Sequence, residues 1–97
     1  MARILTPSEE VQLRLYVAGH APNSVRAIAN ARSICDEHYT LGYGLEVVDL
    51  MMHPLRALAD GIVVTPTLVR LSPQPTLRII GNLSDRPQIL LALGAGA

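Results

Sequence analysis

Cys35, His20, His38 and His53 are the side chains with the chemistry of nucleophiles, proton carriers or metal ligands, and their spacing assembles none of these. A metal site needs ligands that converge, such as paired thiolates or histidines at fixed short intervals. The three histidines fall instead in a loop, at a helix end and at a helix start, with no carboxylate or thiolate at ligand spacing. No metal and no cofactor is therefore expected. Cys35 lies on an apolar helical face and reads as a small core residue, not a redox centre. Ser84, at the start of the last helix, offers an N-terminus suited to a phosphate on electrostatic grounds, but no glycine-rich cradle accompanies it.

The elements that position these residues can be read in order. Val11, Leu13, Leu15 and Val17 alternate with Gln12, Arg14, Tyr16 and Ala18, the period of a half-buried strand, which Gly19 ends. Tyr16 either packs on the second face of the sheet or lies at an interface. The loop His20-Ala21-Pro22-Asn23 leads to Asn23 or Ser24 as the cap of a helix. Val25, Ile28, Ala31, Cys35 and Tyr39 give that helix one apolar face, with Arg26 and Arg32 off it. Gly42-Tyr43-Gly44 breaks the helix, and Leu45 to Leu50 forms a second strand. Strand, helix, strand predicts a right-handed parallel crossover. His53-Pro54 starts a shorter helix, with Leu55 and Leu58 facing inward until Gly61 stops it.

The chain is organised around Ile62 to Arg86, which holds three of its seven prolines. The β-branched run Ile62 to Thr65 and the apolar residues Leu68 to Leu71 read as strand on both sides of Pro66. A proline there cannot donate to a ladder, which leaves an edge, a bulge or a cis Thr65-Pro66 bond. Pro73 and Pro75 bracket Gln74 in a turn, and Thr76 to Ile80 forms another strand ending at Gly81. Ser84 then caps a final helix, with Ile89, Leu90 and Leu93 buried.

A chain of 97 residues makes one domain, residues 1–97, which buries roughly 65% of its unfolded surface without staples. Residues 1–10 read as a flexible lead and 94–97 as a frayed tail. The eight basic residues are all arginine and balance eight carboxylates, which argues against electrostatic nucleic-acid binding. One cysteine and no apolar run of membrane or signal length make a reduced, soluble, cytoplasmic chain the expectation, with no membrane partner.

The order β-α-β-α-β-β-α, with a Thr-Pro step before the hairpin, is the thioredoxin-like α/β architecture. Its redox chemistry sits between the first strand and first helix, where a thiolate gains from the helix N-terminus. Here that place is His20-Ala21-Pro22-Asn23-Ser24, without a cysteine. A thiol or glutathione-dependent enzyme is thereby disfavoured, and the reading is non-enzymatic.

Leu15-Tyr16-Val17-Ala18-Gly19, Pro22-Asn23-Ser24-Val25-Arg26-Ala27, Val47-Val48-Asp49-Leu50, Thr65-Pro66-Thr67-Leu68 and Arg78-Ile79-Ile80-Gly81-Asn82-Leu83-Ser84 together resemble the KaiB family of circadian clock proteins. The resemblance runs from about Val11 to Leu93, and the thioredoxin-like sensor domain of SasA-type histidine kinases is similar in its first half. It implies a regulator that binds the ATPase KaiC and resets its phosphorylation cycle. It also implies a metamorphic chain, exchanging between the thioredoxin-like monomer and a self-associating form ordered β-α-β-β-α-α-β, a dimer or tetramer. The first half, to about Leu50, keeps its structure. The switch is assigned to Pro66, Pro73, Pro75, Gly81, Asn82 and Ala92, and partner contacts to Arg26, Tyr43, Glu46 and Arg78. A β-branched run that prefers strand, next to prolines that exchange isomers over roughly tens of seconds, supplies a bistable segment. Ala92 stands where the family usually has Gly, which favours helix. Glu46 stands where a basic residue is common, and the acidic C-terminal tail of many members is missing, which argues against capture of a KaiA protein. The alternative reading is a thioredoxin-like adaptor for a histidine kinase or another signalling protein.

Overall fold

Strand β1 (Gln12–Val17) lies inside the sheet, with Leu13, Leu15 and Val17 turned to one layer and Tyr16 to the other. In the computed structural model, which describes residues 4–95, it is preceded by a short helix, α1 (Pro7–Glu10), and followed by α2 (Pro22–His38), β2 (Gly44–Asp49), α3 (Pro54–Ala59), β3 (Thr67–Ser72), β4 (Leu77–Ile80) and α4 (Arg86–Ala95). The strands lie in the order β2-β1-β3-β4. β1 runs parallel to β2 with Leu15 opposite Val47, and antiparallel to β3 with Leu15 opposite Leu68. β3 pairs antiparallel with β4, Val69 opposite Arg78. From β1 onward the order is the predicted β-α-β-α-β-β-α. Helix α1 adds a turn inside the segment read as a lead, and α4 carries regular structure to Ala95, leaving 96 and 97 outside the described residues.

One face of the sheet presents Leu13, Leu15, Val17 and Leu68 to Ala27, Ala31, Ile34 and Cys35 of α2 and to Ile89 and Leu93 of α4. The other carries Tyr16, Val48 and Val69, with Leu50, Ile62 and Leu71 packed against them, so Tyr16 is a core residue of the second layer. The buried side of α2 is Ser24, Ala27, Ala31, Ile34 and Cys35, rotated from the predicted stripe. Val25 points to solvent, because the small Ser24 and Ala27 allow the closer approach. That helix begins at Pro22, not at Asn23 or Ser24. Ala21 is the capping position, and the fixed φ of proline suits the first helical residue. Ser24 instead accepts the Ala18 N–H at 3.0 Å.

Two expectations for the second half are overturned. Ile62 to Thr65 is not strand: β3 begins only at Thr67, after a cis Thr65-Pro66 bond. Ile62 donates its N–H to Ala57 at 2.9 Å and Gly61 donates to Leu58 at 3.2 Å, a Schellman closure of α3 around Gly61 at φ +66°. The Val64 carbonyl accepts the Thr67 hydroxyl at 2.7 Å. The run's β propensity loses to these local bonds. Nor do Leu55 and Leu58 face inward; α3 has no buried residue, since its attachment to the sheet runs through Arg56 and Asp60.

At the corner between β4 and α4, Leu83 is buried with φ +64°, a left-handed conformation that costs about 1 kcal/mol. Burying the leucine side chain offsets this by about 2 kcal/mol. The Asn82 carbonyl accepts from Asn30 at 2.8 Å, which ties the corner to α2. Asp85, not Ser84, sits at the head of α4, its carboxylate accepting the Gln88 N–H at 3.5 Å. Ile89 and Leu93 are buried, as the pattern predicted, whereas Leu90 is only half-buried. Among the described residues no helix is long and apolar enough to cross a membrane.

Candidate functional site

The C-terminal ends of β1 and β2, where a thioredoxin-like protein would carry its chemistry, are occupied here by structural hydrogen bonds. Asp49 Oδ1 accepts the N–H groups of Gly19 and Met51, each at 2.9 Å. Those two bonds hold its carboxyl below the usual carboxylate range, with smaller contributions from His20 and His53. Cys35 lies away in the core, 0% exposed. Burial, and then the charge of Asp36, pushes its thiol up to about 12, so it stays protonated at neutral pH. Among the described residues no three His, Cys, Asp or Glu side chains are placed to hold a metal.

What the surface offers instead is apolar. Leu55 and Leu58 are 76% and 79% exposed, one helical turn apart on α3 and therefore on one side of it. Met51 and Met52 precede them and Val63 follows, all largely exposed. Large apolar side chains gathered within thirteen positions and left in water mark an interaction surface more often than an accident of folding.

Beneath α3 lies a polar network. Glu46 on β2 accepts from both ends of the Arg56 guanidinium at 2.8 Å and from Arg14 Nε on β1 at 2.9 Å. Arg14 also reaches Asp60 at 3.1 Å, and the Tyr16 hydroxyl donates to the same Asp60 oxygen. Arg78 on β4 donates to the carbonyls of Asp60 and Gly61 at 2.6 and 3.1 Å. The Arg56 fork, helped by Arg14, holds the Glu46 carboxyl down at about 2 against its ordinary 4.5. Since the folded-state value lies below the unfolded one, the ionised group stabilises the fold fully above about pH 4.5 and that contribution disappears as pH falls toward 2. Acid unfolding of Glu46→Gln should therefore be flatter across this window, with the two proteins converging at its lower end. A constant stability difference down to the bottom of the window would refute this.

The residues assigned to partner contact are not brought together. Glu46 and Arg78 share the sheet face beneath α3, both engaged as described. Arg26 is exposed on α2, in the opposite layer. Tyr43, just before β2, donates to Asp36 at 2.6 Å, and this bond and burial push its phenol up to about 12, burial first. The residues assigned to a switch all lie in the second half: Pro66 buried before β3, Pro73 and Pro75 in the β3–β4 turn with cis bonds, Gly81 and Asn82 at the corner, Ala92 inside α4. Sequence reasoning missed the outward face of α3 and the role of Arg14, Arg56 and Asp60. It also missed Arg70, which is 1% exposed and donates to the Leu93 carbonyl at the end of α4 at 2.8 Å. Strand alternation puts Arg70 on the same side as Leu68, which was the available clue.

A family model described as the KaiB domain matches residues 14–95. The circadian clock oscillator protein KaiB of Prochlorococcus marinus (strain MIT 9313) is 44% identical over 89 residues, 92% of this chain and 75% of that relative. Among solved structures, the N-terminal domain of Synechococcus elongatus SasA superposes with a TM-score of 0.74 at 23% identity, covering 98% of this chain and 90% of that one. A thioredoxin from Halobacterium salinarum superposes with a TM-score of 0.71 at 17% identity, covering 95% and 80%. The fold is thus thioredoxin-like.

Proposed function

The chain belongs to the KaiB family, and from that premise we propose that it is a non-enzymatic component of a circadian clock or simpler timer that binds a KaiC-type ATPase and modulates its phosphorylation cycle. The observation that carries this is the outward apolar face of α3, on a domain whose redox loop has no cysteine. A surface of that kind serves association, not turnover. The reading includes action in the cytoplasm and no need for KaiA, because Glu46 on β2 is already engaged by Arg14 and Arg56. Size-exclusion chromatography with light scattering, on the protein alone and with its genome's own KaiC-type ATPase and ATP, tests it. Co-elution supports the proposal, and failure to co-elute under any nucleotide overturns it.

A fold switch to a self-associating form is part of the same proposal. Its support is the concentration of prolines, the left-handed Leu83 and the Gly81-Asn82 corner in the half that would be rebuilt. Ala92 lies inside α4, where glycine would cost about 1 kcal/mol, roughly a fivefold population shift. Ala92→Gly is expected to raise the oligomer fraction on the same column; an unchanged elution profile would count against the switch. The similarity to the SasA N-terminal domain favours a second reading, an adaptor for a histidine kinase. Capture of a kinase without any ATPase would select it.

A further inference from the structure

We propose that Arg14, Tyr16, Glu46, Arg56, Asp60 and Arg78 form a polar clasp that positions α3 on the sheet and so sets how its apolar face is presented. A helix of six residues cannot stand alone, and helices are ordinarily held by an apolar stripe against the core. Helix α3 has no buried residue, and its leucines point the other way. Ala57 and Ile62 are only half-buried, so apolar packing holds it weakly.

The polar contacts come from three strands. β2 supplies Glu46 to the Arg56 fork, β1 supplies Arg14 and Tyr16 to the Asp60 carboxylate, and β4 supplies Arg78 to the carbonyls of Asp60 and Gly61. Charges alternate along Arg56, Glu46, Arg14 and Asp60, so Glu46 is shared between arginines on β1 and α3, and Arg14 between Glu46 on β2 and Asp60 just after α3. The two-pronged Arg56 contact fixes an angle as well as a distance. Side-chain exposures of 38% for Arg56 and 50% for Glu46 leave the clasp open to water and to salt. α3 can therefore loosen while the core layer beneath α2 and α4 stays closed. The clasp stands on these contacts alone; its consequence for docking rests on the KaiC-type reading above.

Amide exchange followed by NMR on the full chain tests it at Asp60, Gly61 and Ile62, whose N–H groups bond to Arg56, Leu58 and Ala57. Glu46→Gln should speed exchange at these amides about fivefold, the population shift of one good surface ion pair, and leave the β1 amides unchanged. Raising salt from about 0.05 M to about 1 M should do the same to the unmodified protein and little to the variant. Unchanged exchange in Glu46→Gln, or equal acceleration throughout β1, would overturn the clasp. Affinity for the KaiC-type ATPase should fall with the loss of protection, and an unchanged affinity would overturn the positioning role. Absence of binding by either protein, with the exchange effect present, would defeat the proposed function and leave the clasp standing.

Discussion

Arg70→Ala is expected to lower unfolding stability by about 3–4 kcal/mol, measured by chemical denaturation. Arg70 is among the largest fully buried side chains, yet among the described residues it has no ion-pair partner and its Nε has no acceptor. Its charge rests on oxygens: Leu93 at the C-terminal end of α4, Pro75 in the hairpin turn at 3.3 Å, and the Tyr39 hydroxyl at 3.3 Å. A cation beside the last carbonyls of a helix is favourably placed against the helix dipole. One residue of β3 thus joins the sheet, the hairpin turn, and the ends of α2 and α4. Alanine would leave a cavity and strand the Leu93 carbonyl. Arg70→Met keeps much of the volume and removes the burden of a desolvated charge, so it should cost only about 1 kcal/mol. Equal losses in the two variants would show that the hydrogen bonds and charge, which neither variant keeps, and not the volume, are what Arg70 contributes.

Leu55→Asp should weaken association with the KaiC-type ATPase by about thirtyfold or more, the loss expected when an apolar anchor at an interface centre becomes a charge. Stability should change by no more than about 0.5 kcal/mol, because the side chain is 76% exposed. The position lies in the first turn of α3, where a carboxylate is compatible with the helix dipole. Leu91→Gln on α4 is the control: Leu91 is 75% exposed and belongs to the opposite layer. If Leu91→Gln weakened binding and Leu55→Asp did not, the docking face would lie over α2 and α4.

Much of this architecture was legible because it follows from periods along the chain. The alternation from Val11 to Val17 needs only a sheet with one covered side, and α2 and α4 cover it. Helix α2 is legible as a helix from its period, but its buried stripe is not, since that stripe follows mostly small side chains and not bulky ones. Ser24 and Ala27 are buried because small side chains let the helix approach, and a hydropathy pattern does not report distance of approach. The Ile62 to Thr65 run failed as a strand for a related reason. Its backbone donors and acceptors were claimed by the closure of α3 and by Thr67, bonds that local propensity does not weigh.

Glu46 shows where the boundary falls at the candidate site. Its acidic identity could be read as unusual, but not that Arg56, ten positions on, and Arg14, on the neighbouring strand, already answer its charge. The same holds for Leu55 and Leu58, whose spacing predicts a single face without saying which way that face turns.

By itself the sequence determined the order of elements, the parallel crossover, the empty redox loop and the resemblance to a family of clock proteins, because each rests on local period or residue type. Only the tertiary structure decided that α3 turns its leucines outward over a polar clasp, and that Arg70 is buried against the end of α4. Both depend on partners far apart in the chain, and local periodicity carries no information about which distant groups will meet.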